Sequence, residues 1–214
     1  MKTGIPAVSV EPAGLPDELA HDQDDPTETQ PWPLLTLWLP TNDDPDRPRM
    51  TLSTVTEDGR ADARTVLLTA WDGSGFSFHT DAASRKVAQI AAHPDVALTL
   101  LWDGFSRQLV VQGRAEVAPA AEVAAAYRSR SPFLQQLAHE NTPAFAQLSL
   151  ARRRERWAQV AAAHPDGFDQ PESWTGYLVR PTRVTFWATG VDTASRRVEF
   201  RRTATGWDRF LLPG

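Results

Sequence analysis

Arg64-Thr65-Val66-Leu67-Leu68, Phe76-Ser77-Phe78-His79-Thr80, Ser84-Arg85-Lys86 and Arg107-Gln108-Leu109-Val110-Val111 follow one another within fifty residues and decide the reading of this chain. Three of these pieces are apolar strands that each deliver a polar or cationic group at a defined place. Between the second and third strands, two cations open an amphipathic helix. Helix N-termini and adjacent Arg and Lys side chains both favour negative charge, so the arrangement suits an anion, most naturally a phosphate.

Working outward, alternating apolar runs and Gly turns continue on both sides. Met50 to Thr56 reads as a strand, Glu57-Asp58-Gly59-Arg60 as a tight turn, and Ala61 to Trp71 as the hairpin partner. Asp72-Gly73-Ser74-Gly75 turns the chain into Phe76 to Thr80. Ala83 to Ala92 has helical spacing, and His93-Pro94 stops it. Val96 to Trp102 and Ser106 to Val117 form a further hairpin across Asp103-Gly104. Ala120 to Ser129 and Leu148 to Ala163 are helical, while the segment between them has no assigned element. Trp174 to Thr189, Arg197 to Arg202 and Trp207 to Leu212 return to strand character. Short strands joined by Gly turns, with helices interposed, predict a mainly β antiparallel barrel carrying helical insertions. Pro31-Trp32-Pro33 opens a short helix through Leu39. Residues 1–30 are rich in Pro, Asp and Glu and read as a flexible acidic tail, leaving 31–214 as one domain.

Composition narrows the chemistry. The 214 residues, 41% of them hydrophobic and eight of them Trp, are enough for one substantial core. A net charge of −5 argues against nucleic acid as the main partner. Without cysteine there is no disulfide, thiol nucleophile or Cys-ligated metal. The five His show no metal-ligand spacing, so no metal site is expected. No apolar run approaches the ~18 residues of a membrane span. Lys2 is the only early cation and Pro6 breaks the first apolar run, so no signal peptide is read and a cytoplasmic protein is expected.

Singly, the site residues have ordinary readings. Arg64 alone is an outward charge on a half-exposed strand, Ser84-Arg85-Lys86 a capped helix start with solvated cations, and Gln108 says little. In this order and spacing they resemble the pyridoxamine 5'-phosphate oxidase family, which binds FMN on a split β-barrel. The resemblance covers roughly Met50 to Pro213. It implies that FMN is held by Arg64, Thr65, Val66, Leu67, Leu68 and Thr69, by His79 with Thr80, by Arg85 with Lys86, and by Gln108. It further implies a homodimer in which Trp187, following Phe186, and Arg197 reach the flavin from the second subunit, with dioxygen as electron acceptor.

The departures concern the substrate. Where oxidase members of the family end the Arg-x-Val-Leu-Leu strand on Lys, this chain has Thr69; where they carry Arg-Leu-His after Phe-Trp, it has Thr193-Ala194-Ser195. The Tyr-x-x-x-Arg-x-x-x-Ser pattern that grips the substrate phosphate falls on Ala126, Arg130 and Leu134, with Tyr127 one place off; a one-residue shift recovers Tyr127 and loses Arg130. A site missing such donors leaves a phosphate dianion poorly matched. The expectation is therefore an FMN-dependent oxidoreductase whose small organic substrate is not pyridoxamine 5'-phosphate, with Tyr127, Arg130, Thr193 and Ser195 lining the altered pocket. Two alternatives stay open: pyridoxamine 5'-phosphate oxidation in a rearranged pocket, and a flavin- or tetrapyrrole-binding protein without turnover.

Overall fold

The computed structural model describes residues 27–190 and 192–214, so most of the expected acidic tail lies outside the described residues. Among the described residues the first element is helix α1 (Trp32–Trp38), followed by strands β1 (Arg49–Val55), β2 (Ala61–Leu67), β3 (Ala70–Asp72) and β4 (Gly75–Asp81). Helix α2 (Arg85–Ala92) precedes β5 (Asp95–Leu101) and β6 (Arg107–Val117). Four helices then interrupt the strands: α3 (Ala120–Arg128), α4 (Pro132–Glu140), α5 (Pro143–Ala146) and α6 (Leu150–Ala163). Strands β7 (Trp174–Ala188), β8 (Arg196–Arg202) and β9 (Trp207–Pro213) complete the fold.

All strand pairs are antiparallel, in the order β2-β1-β5-β6-β7-β4-β3, with β8 on β7 and β9 on β8. The 15-residue β7 organises the sheet. Its first half pairs with β4 and its second half with β8, while β6 runs along its other side. That division of one strand between two partners is what splits the barrel. The inward residues alternate, as period-two strands require. Leu52, Phe76, Phe78, Leu98, Leu109, Val111, Val179, Val184, Phe186, Val198 and Phe200 are all fully buried. Helix α1 plugs the barrel end with Leu34, Leu35 and Trp38, and Trp38 meets Phe186 edge-on at 5.1 Å.

Two elements depart from the sequence expectation. The predicted strand Ala61 to Trp71 breaks at Leu68-Thr69. Leu68 turns into the core and its N–H donates to Pro48 O, while the Thr69 N–H donates to Ser77 O at 2.8 Å. The break lets β2 meet β4 and closes the barrel wall beside the site. The unassigned segment after α3 holds α4 and α5, whose N-caps Ser131 and Thr142 accept from Leu134 N–H and Phe145 N–H. Outside the barrel, Ala118, Val123, Tyr127 and Trp174 form a small second core, through which α3 packs on the outer face of β7.

Candidate functional site

A cleft of about 550 Å³ opens between the outer face of β4, the edge strand β2, the start of α2, and helices α4 and α5. Its lining includes Thr65, Val66, Leu67, Thr69, His79, Thr80, Arg85, Lys86 and Arg130, residues far apart in sequence that the fold brings together.

One end of the cleft is cationic. The Lys86 ammonium donates to Thr80 Oγ1 at 2.9 Å, and Thr80 Oγ1 in turn lies 3.2 Å from Ser84 Oγ. Ser84 stands at the N-cap of α2 as expected, yet its side chain makes no capping hydrogen bond. The first-turn N–H groups of α2 thus receive nothing from it, and that end of the helix keeps its capacity for an anion. Burial depresses the Lys86 pKa below the ordinary lysine value, and the nearby Arg64 charge lowers it further. An anion arriving here would relieve both penalties. Arg85 is exposed, its guanidinium 3.8 Å from Asp62.

Arg64 takes a different place. It lines none of the cleft; its guanidinium pairs with Asp62 at 2.8 Å and donates to Gln89 Oε1 at 2.7 Å and Thr54 Oγ1 at 2.6 Å. Asp62 is held below the usual carboxylate range, first by the hydrogen bond from Gln89 and then by the Arg64 charge. This network ties β1, β2 and α2 together beneath the cationic end. Leu68 is in the core and offers the cleft no side chain.

The other end is aromatic. The His79 ring stacks on Trp174 at 5.5 Å and 8° between planes, and the Arg130 guanidinium lies over Trp174 at 4.4 Å. Arg130 also donates to Leu134 O. Tyr127 meets Trp174 edge-on and donates from its hydroxyl to Asp169 O at 2.9 Å, so it supports the cleft wall from behind rather than lining it. Burial raises its pKa. His79 is pushed down to about 4, by burial first and by the Arg130 charge second, so it is neutral at physiological pH. Its Nδ1 lies 3.1 Å from Thr69 Oγ1.

Gln108, Trp187 and Arg197 stand together elsewhere. They occupy one register row across β6, β7 and β8, Gln108 opposite Trp187 and Trp187 opposite Arg197. Their neighbours Leu109, Phe186 and Val198 point into the core, which places the row on the outer face. None of the three lines the cleft of its own chain. Thr193 and Ser195 lie on the β7–β8 connection, also away from it, where Ser195 O accepts from the Gly214 N–H.

Sequence reasoning met Leu134 only as a place where the substrate-gripping pattern lapses, and missed Trp174 and the rest of the α4–α5 wall, Leu137, Ala138, Asn141 and Thr142. The i, i+3, i+4, i+7 spacing of the α4 set was a usable signal. Trp174 had none, because a lone aromatic reads as core. No helix among the described residues is long and apolar enough to cross a membrane.

The chain is thus an antiparallel split barrel with a cleft that is cationic at one end and aromatic at the other. The pyridoxamine 5'-phosphate oxidase profile matches residues 45–188, and the profile of the pyridoxine 5'-phosphate oxidase C-terminal dimerisation region matches residues 174–213. The chain belongs to the pyridoxamine 5'-phosphate oxidase family. It is 43% identical over 146 residues to a pyridoxine/pyridoxamine 5'-phosphate oxidase of Kineococcus radiotolerans, covering 64% of each chain. Among solved structures, PhzG of Burkholderia lata, crystallised with tetrahydrophenazine-1-carboxylic acid, matches with a TM-score of 0.78 at 24% identity, over 90% of this chain and 96% of that one. A pyridoxamine 5'-phosphate oxidase-related, FMN-binding protein of Nostoc punctiforme matches at 0.63 and 17% identity, over 78% and 87%.

Proposed function

We propose that this protein is a homodimeric, FMN-dependent oxidoreductase whose substrate is a small organic molecule other than pyridoxamine 5'-phosphate, with dioxygen as the acceptor. The observation that carries the cofactor reading is the convergence of Lys86, Thr80, Ser84 and the uncapped α2 start at one end of a cleft whose other wall is Trp174 and His79. A phosphate fits the first end and a planar ring the second. The free edge of β2 at Thr65–Leu67 adds backbone donors and acceptors for the polar rim of such a ring.

Bound FMN would supply the hydride chemistry; the chain supplies binding, orientation and exclusion of water. Lys86 and Arg85 would neutralise the phosphate, with Arg64 acting from beneath through the Asp62–Gln89 network. Gln108, Trp187 and Arg197, absent from the cleft of their own chain, would complete the site of the partner across a two-fold axis. The family's dimerisation region, which spans Trp187 and Arg197, supports this placement.

The substrate reading rests on Thr69 in the cleft and on Thr193 and Ser195, which lie outside the cleft of their own chain and, like Trp187 and Arg197, would reach that of the partner. All three are short neutral side chains at positions where oxidase members of the family use Lys, Arg and His. They favour a less anionic, bulkier or more apolar molecule, in keeping with the tricyclic ligand of the PhzG structure. The second reading, pyridoxamine 5'-phosphate oxidation in a rearranged pocket, is favoured by the name of the 43% identical relative and by Arg130 in the cleft. The absorption spectrum and mass of the ligand that copurifies with the protein test the cofactor: FMN is expected, and a tetrapyrrole or an empty, FMN-indifferent protein would refute it.

A further inference from the structure

His79 on β4 and Thr69 in the break between β2 and β3 meet, and both line the cleft. The His79 ring is fixed on three sides. It stacks on Trp174, its Nδ1 faces Thr69 Oγ1 at 3.1 Å, and its far edge occupies the space beside Gly176, its register partner on β7. A Cβ at Gly176 would lie 2.6 Å from His79 Cδ2 and 2.7 Å from Nε2, so only glycine leaves the ring this room. In that position Nε2 is buried with no hydrogen-bond partner.

A neutral imidazole carries one N–H, and the hydrogen bond made by one nitrogen decides which nitrogen holds it. A proton on Nε2 would be an orphaned buried donor, while a proton on Nδ1 has the Thr69 oxygen as acceptor. Nδ1–H therefore donates to Thr69, and the Thr69 hydroxyl hydrogen must turn elsewhere. Its side chain lines the cleft.

We infer that His79 is a positioning residue that commits the Thr69 hydroxyl as a hydrogen-bond donor to the cleft, for an uncharged acceptor on the ring of the bound flavin. The inference rests on the cofactor reading above. It replaces a cationic contact by a neutral, oriented one that stays unchanged over the ordinary pH range. Among the charged groups that share the cleft (Asp81, Arg85, Lys86 and Arg130), Arg130 opposes protonation of the ring.

The test has two arms. Long-range 1H–15N spectra of the full chain, with His79 assigned by its loss in His79→Gln, should show the Nδ1-protonated neutral tautomer, unchanged between pH 8 and pH 5.5. The Nε2-protonated form, or an imidazolium at pH 7, would overturn the inference. In FMN titrations followed by quenching of flavin fluorescence, Thr69→Val should weaken binding about tenfold, and Thr69→Ser should restore most of it. Equal FMN affinity in wild type and Thr69→Val would also overturn it. If the wild type does not bind FMN, the cofactor reading falls and this inference with it; FMN binding by a protein whose His79 is Nε2-protonated, or whose affinity is untouched by Thr69→Val, overturns this inference alone.

Discussion

Replacing Lys86 by Met removes one charge and keeps most of the apolar stem. In the ligand-free protein this ammonium is half-buried, donates to Thr80 at 2.9 Å, and has its pKa depressed by burial and by Arg64. Its charge is thus a cost to the empty fold, and Lys86→Met should melt at the wild-type temperature or slightly above. With a phosphate in the cleft the sign reverses, because the ammonium gains a charge-assisted partner. Such contacts contribute roughly 1.5–3 kcal/mol, which corresponds to about a tenfold to a hundredfold loss of affinity. Riboflavin has the same ring and no phosphate, so its affinity should change by less than about threefold. Fluorescence titrations of both ligands at low and at physiological salt provide the assay, and the salt dependence of FMN binding should shrink in the variant. Equal losses for FMN and riboflavin, or no loss for either, would refute the assignment of this end of the cleft to the phosphate.

His79 makes acid stability a second check. Its folded pKa of about 4 lies below the ordinary value of 6.5, so the unfolded chain takes the proton first, and stability falls as pH drops from 6.5 to about 4 and no further below that. The window is worth about 3 kcal/mol, and urea unfolding should show His79→Gln losing correspondingly less across it; identical losses would contradict the burial argument. Arg64→Met should strand Asp62 and Gln89 and lower the urea midpoint of unfolding, and an unchanged midpoint would show that the network contributes nothing to the fold. Light scattering should give about twice the chain mass of 23.7 kDa, and Trp187→Ala should weaken FMN binding although Trp187 lies outside the cleft of its own chain. A fully FMN-loaded monomer would contradict the shared site.

The strands were legible because their inward positions alternate: Phe76 and Phe78, Leu98 and Leu100, Leu109 and Val111 each announce a half-buried strand. The break at Leu68-Thr69 was not, since it holds no Gly, Pro or other turn residue and only the hydrogen bonds to Pro48 and Ser77 divide it. The helical insertion carried signals of its own, Ser131-Pro132 and Thr142-Pro143 as helix starts and Leu134, Leu137 and Ala138 at helical spacing, but its segments are short and face the cleft rather than the barrel core. Within the site, Lys86, Thr80, His79 and Thr69 were named from the sequence and share one cleft. The engagement of Arg64 with Asp62 follows from their i, i+2 spacing on one strand face, a pairing that sequence order alone does not rank above a ligand contact.

Retention of the family's cofactor site with replacement of its substrate site is decided by steady-state oxidation of pyridoxamine 5'-phosphate by the FMN-loaded protein. Two lost charge-assisted contacts of roughly 1.5–3 kcal/mol each lower kcat/KM by a hundredfold or more. Little or no turnover is expected, with a kcat/KM below ~10² M⁻¹s⁻¹ and equally slow flavin reduction in stopped flow. A value near ~10⁴ M⁻¹s⁻¹ or above, within the ordinary enzyme range, would show that Thr69, Thr193 and Ser195 are compensated elsewhere in the pocket and would contradict the claim.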